Sequence, residues 1–185
     1  MATITAHHET LPQTQSKFAF GEYARLALFS AMPLAAFGGA NFVAEAMGSQ
    51  PLFFSPGGLP GWLGAALHLA LLFTIGLSLG LAYATGSRGR KIMPWGIALV
   101  IGMVAFPFFA GWLDAFALAL VMTFVLLIGF ATSLRIARVS RLGGWLMLPT
   151  LFWVGFGAVL GLAVAAAWSP PFALITAQNT APASV

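Results

Sequence analysis

Gly143–Trp168, GGWLMLPTLFWVGFGAVLGLAVAAAW, runs for more than two dozen residues without a charge. About 20 predominantly apolar residues cross a bilayer core as a helix, so this stretch alone reads as a membrane span. The rest of the chain agrees with it. Of 185 residues, 60% are hydrophobic and 6% charged, whereas a soluble domain carries about 25% charged residues. The mean hydropathy of +0.95 leaves lipid as the solvent for most of the surface. The reading is an all-α integral membrane protein.

Working outward, four more apolar segments can be drawn, at residues 23–47, 59–84, 93–111 and 113–134. Each is close to the length a tilted helix needs. The runs are continuous and rich in Ala and Leu rather than alternating with period two, so helices are expected and a β-barrel is not. The first segment contains Arg25, Pro33, Asn41 and Glu45. Its charges lie near its ends, where side chains reach the interface, and Pro33 frees a carbonyl that neighbouring helices must satisfy. Four spans plus an amphipathic N-terminal helix is the alternative. The domain plan is a polar tail at 1–21, a five-helix membrane domain at 22–168, and an uncharged tail at 169–185 following Ser169-Pro170-Pro171.

The charges set an orientation. Lys17 and Arg25 flank the first span; Arg88, Arg90 and Lys91 lie between the second and third; Arg135, Arg138 and Arg141 lie between the fourth and fifth. All eight bases therefore fall on one side, with Glu45 and Asp114 on the other. The excess of bases on cytoplasmic loops then predicts the N-terminus inside and the C-terminus outside. The bases alternate with apolar runs and form no basic face, so no nucleic-acid partner is expected. The polar first 20 residues hold no apolar core before a small-residue cleavage site, so they do not read as a secretory signal peptide. Cysteine is absent, which removes disulfides and thiolate metal sites.

Small residues recur at helix-packing spacing: Gly76 with Gly80, Ala98 with Gly102, and Gly157 with Gly161. Such pairs let backbones approach closely in lipid, within one chain or across a homodimer. Catalytic patterns are missing: there is no H-E-x-x-H, P-loop or nucleotide glycine fingerprint, and the four acids are scattered with no carboxylate pair placed for acid–base work. Asp114 reads as a charge at a helix N-terminus, favoured there by the dipole. No enzyme, no catalytic residue and no metal site are expected.

His68 is the one histidine inside a span, and an ionisable group there is a functional candidate by default. Three roles are open to it: bonding a ligand's polar edge, ligating a tetrapyrrole metal, or bonding a neighbouring helix. Trp62, Trp95, Trp112, Trp145 and Trp168 fall near span ends, as an interfacial aromatic belt does. Trp153 lies about two turns into the last helix, where an indole offers a flat apolar face and one N–H.

The order of motifs from Phe108 to Trp168 resembles the TspO/MBR (translocator protein, tryptophan-rich sensory protein) family. Phe108-Phe109, then Ala117-Leu118 with Val121, resemble its F-F-G…A-L-x-x-V; Val139-Ser140 with Gly144-Trp145-Leu146 resembles its V-S-x-x-A-G-W-L. Pro149, Trp153, Phe156 and Leu160 fall on its P-Y-x-x-W-x-x-F-A-x-x-L-N. In the N-terminal half, Pro60-Gly61-Trp62 resembles the proline-rich approach to helix two, which places His68 where relatives carry tryptophan and Leu72 where they carry tyrosine. Ile101–Ala105 lacks the Asn and Trp expected before Phe108-Phe109, Thr150 replaces a tyrosine, and Gly161 an asparagine. Fewer pocket tryptophans imply a larger or differently shaped cavity.

The resemblance implies a five-transmembrane-helix bundle with a pocket between helices, beneath the loop at residues 48–61. Family members are associated with porphyrins, sterols and synthetic aromatic ligands, so a porphyrin or other tetrapyrrole, or an isoprenoid, is the implied ligand; no cofactor is certain. The ligand contacts it implies are Trp62, His68, Pro149, Trp153, Phe156 and Gly157. The expected function is a multi-pass receptor or transporter-like protein of a bacterial-type cell membrane, surrounded by membrane lipid and binding a hydrophobic small-molecule ligand. A homodimer or a larger membrane complex stays open, and the alternative function is a non-catalytic accessory subunit of such a complex.

Overall fold

A computed structural model describes residues 20–56 and 60–168, excluding the side chain of Trp168. The tails before Phe20 and after Trp168 lie outside the described residues, as do the expectations that fall on them. Seven α-helices follow one another: α1 (Phe20–Ala46), α2 (Gly61–Tyr83), α3 (Ser87–Arg90), α4 (Met93–Phe109), α5 (Ala115–Ala137), α6 (Arg141–Leu146) and α7 (Leu148–Trp168). A turn of 3-10 helix, Ala110–Trp112, extends α4. Among the described residues there is no strand. Five spans are long and apolar enough to cross a membrane: Phe20–Ala46, Gly61–Tyr83, Met93–Trp112, Ala115–Ala137 and Arg141–Ala167. The first segment is therefore a full span, not an amphipathic surface helix.

The fifth span differs from the single helix read from its sequence. It breaks at Met147 between α6 and α7. Pro149 has no N–H to give the carbonyl four residues back, a loss that costs nothing in the first turn of a helix, where no such bond is made. Restarting at Leu148 puts it there.

The spans close into a ring: α1 against α2, α2 against α6, α7 against α5, α5 against α4, and α4 back to α1. α2 is the most deeply packed span, and Leu72, Ile75, Leu99, Ile136 and Met147 are fully buried between the helices. Phe124, Phe130 and Phe152 point outward, as lipid-facing side chains do.

Two prolines inside helices set the helix contacts that matter. Pro33 of α1 cannot bond the Phe29 carbonyl, and that carbonyl lies directly over Gly76 of α2. A Cβ at Gly76 would also fall 2.8 Å from Ser30 Cα, so only glycine lets the two backbones meet. Pro107 of α4 likewise frees the carbonyl of Met103, four residues back, and also presents its own carbonyl to the loop after α1, where Leu52 N donates to it at 2.8 Å.

The end of the bundle that carries the bases is tightly bonded. Ser78 of α2 donates to the Gly143 carbonyl at 2.7 Å, and Ser140 caps α6 by accepting from Gly143 N at 3.1 Å. Gly143 and Gly144 are buried, and a Cβ would fall 2.8 Å from Ile136 or 2.7 Å from Ala137 of α5. Arg135 lies over the Trp95 ring, 4.0 Å from its centre. At the opposite end Asp114 caps α5, accepting from Ala117 N at 2.7 Å.

Each of the three small-residue pairs places a glycine against another helix of the same chain. Gly76 and Gly80 seat α1, Gly102 seats Val125 of α5, and Gly157 and Gly161 seat Met122 and Ala119 of α5.

Candidate functional site

The connection from α1 to α2 contains an apolar triplet, Leu52-Phe53-Phe54, where a surface loop would normally be polar. The Leu52 bond to Pro107 turns the next two rings inward. Phe53 packs on Phe37 of α1 and on His68 of α2, with ring centres 5.9 and 5.6 Å away. Phe54 packs on Trp153 and Phe156 of α7, at 5.3 and 5.9 Å. Gly64 makes room, since a Cβ there would meet the Phe54 carbonyl at 2.7 Å.

His68 is 7% exposed and stands among rings, with Phe37 at 5.5 Å and Phe53 beside it. It hydrogen-bonds the backbone of Met103, whose carbonyl Pro107 has freed. A carbonyl only accepts, so the imidazole donates. Nε2 is buried and without a partner, and in the neutral tautomer that carries its proton on Nδ1 it is a lone-pair acceptor.

A small space of about 20 Å³ adjoins His68, bordered by Phe53, Phe54, Met103, Pro107 and Trp153. That is room for one water-sized group. Next to it, an apolar space of about 180 Å³ lies between α5 and α7, lined by Ala115, Ala119, Gly157, Gly161 and Val164 among others. Phe54, Phe106 and Met122 line both spaces and so form the wall between them. Phe53 and Phe54 both line the space at His68.

The residues singled out in the sequence are thus distributed. His68 and Trp153 border the same small space. Gly157 borders the adjoining one, and Phe156 packs on Phe54 and Trp153, which lead into both. Trp62 is 70% exposed, Pro149 is exposed, and neither lines either space. Sequence reading missed Phe53, Phe54, Met103 and Phe106. Only the apolar triplet inside a Pro- and Gly-rich connection signalled the first two.

Two wider grooves, about 650 and 420 Å³, run along the junction of α1 and α4 and share Ala36, Val100 and Ile101. They are apolar and face outward, and no buried polar atom without a partner lines them.

The model of the TspO/MBR family matches residues 26–174, most of the chain. No curated protein and no solved structure matches it.

Proposed function

The chain belongs to the TspO/MBR family, and from that premise we propose that it binds a hydrophobic ligand, of the tetrapyrrole or isoprenoid class, in the space between α2, α4, α5 and α7. It acts as a receptor or transporter-like protein of a bacterial-type cell membrane, not as an enzyme, with its base-rich end and N-terminus inside. The observation that carries this reading is the buried, unpartnered Nε2 of His68 beside Trp153. An unmet hydrogen-bonding group in an apolar interior costs about 1–3 kcal/mol, and a ligand that bonds it recovers that cost. Trp153 and Phe156 supply flat apolar surface, and Gly157 lets a ligand approach the α7 backbone. His68 with an uncommitted Nε2 suits a ligand's polar edge; the Met103 bond already serves the structural role.

The test is tryptophan-fluorescence quenching of the purified protein by protoporphyrin, beside direct binding of labelled farnesol. Trp153→Phe and His68→Ala are run in parallel. Saturable binding of either probe, weakened by either substitution, supports the reading. A folded protein that saturates with neither probe overturns it.

The second reading is an accessory subunit that uses the fold for packing. The long apolar grooves along α1 and α4 favour it, because membrane-embedded partner helices could lie there. The mass of the particle extracted in mild detergent decides: the chain alone or as a homodimer supports the receptor, while a fixed association with larger chains supports the subunit.

A further inference from the structure

We infer that the ligand is a linear lipophilic alcohol that reaches His68 sideways from the bilayer, through the slot between α5 and α7, by displacing the Phe54 ring. The inference rests on the ligand-binding reading above and narrows it to a shape, a head group and a route.

The head group follows from the histidine. With Nδ1 donating to the Met103 backbone, the unpartnered Nε2 accepts, and a ligand group that brings a hydrogen meets it. The space beside it holds one small polar group, about 20 Å³. A hydroxyl fits that description. A carboxylate would bring a charge with no cation among the residues lining either space.

The shape follows from the volumes. Both spaces are smaller than the roughly 300 Å³ at which pockets for drug-sized ligands begin, so a rigid macrocycle has no seat without moving whole helices. A chain needs only a continuous channel. The slot of about 180 Å³ provides its middle portion, with small residues Ala115, Ala119, Gly157 and Gly161 on its walls. Its rim residues Leu160 and Val164 are partly exposed on the outer surface of α7, so the remainder of a chain can continue into lipid.

The route follows from the wall. Phe106 is fixed on α4, whereas Phe54 belongs to the α1–α2 connection and Met122 has an unbranched, adaptable side chain. Rotating Phe54 away joins the slot to the space at His68. Phe54 is therefore a plug that stands where the upper part of the ligand chain will lie.

The experiment measures binding of labelled farnesol to the full chain in nanodiscs, with farnesene as the hydroxyl-free counterpart and dodecanol as the straight-chain alcohol. Farnesol or dodecanol is expected to saturate, the alcohol that binds marking an isoprenoid or a straight-chain source, and farnesene to bind about tenfold more weakly. Val164→Trp and Leu160→Trp, both at the exposed rim where added bulk leaves the helix packing intact, are expected to slow alcohol association about tenfold. Phe54→Ala is expected to speed it. Melting temperatures check that each variant is folded. Equal binding of farnesol and farnesene overturns the head group, and unchanged association in both rim variants overturns the route. Saturation by protoporphyrin with neither alcohol bound overturns this inference while leaving the binding function standing; no binding of any probe overturns both.

Discussion

The two ends of the bundle are built on opposite principles. At the base-rich end, backbones are in contact and hydrogen bonds tie the elements: Ser78 bonds Gly143, Ser140 caps α6, and Thr132 reaches the Ile128 carbonyl at 2.7 Å, while Nε of Arg25 is buried without a partner. Gly143 and Gly144 leave no room for even a methyl group beside α5. At the loop end, rings rather than backbones fill the interior, two spaces persist, and Nε2 of His68 and Oγ of Ser55 are buried without partners. One end holds the helices in register through backbone contact; the other sets an unmet acceptor beside open apolar space, as a ligand site does.

That contrast can be broken where the backbones touch. Gly76→Leu drives a side chain into the Phe29 carbonyl and Ser30; the expected loss is about 3 kcal/mol, read as a collapse of the melting temperature and aggregation in detergent. Wild-type melting in this variant would show that α1 and α2 do not depend on the close approach. His68→Phe sharpens the contrast from the other end. It keeps a ring among Phe37 and Phe53 but removes the acceptor together with the donor to Met103, so alcohol affinity should fall about tenfold with a stability loss of only about 1 kcal/mol. A large loss of stability would make His68 a structural residue.

Smaller effects follow. Asp114→Ala removes the α5 cap and should cost about 1 kcal/mol, measured by denaturation in mixed micelles. Ser78→Ala removes the bond to Gly143 and should cost about 0.6 kcal/mol, with ligand binding unchanged. A binding defect in Ser78→Ala would mean that the two ends are coupled.

The spans were legible because hydropathy and span length depend on composition alone, and the family resemblance followed from residues in order along α5 to α7. Asp114 as a helix-terminal charge was legible for the same local reason. The site was only partly so. His68 and Trp153 stood out as residue types in unusual settings, and they do meet at one space. Phe53 and Phe54 did not, because a loop's inward turn is fixed by a contact 55 residues away, Leu52 to Pro107. Nor does sequence alone show that Pro107 frees the carbonyl that orients His68. Trp62 follows the family motif but sits at the exposed start of α2, where an aromatic residue meets the membrane interface.

The most direct measurement is the 15N chemical shift of His68 Nε2, assigned by comparison with His68→Phe, during titration with farnesol. The account predicts a free-acceptor resonance that moves to a hydrogen-bonded position and saturates, with Nδ1 unchanged. A resonance that is already hydrogen-bonded before ligand is added, or that stays fixed at saturating farnesol, would contradict it.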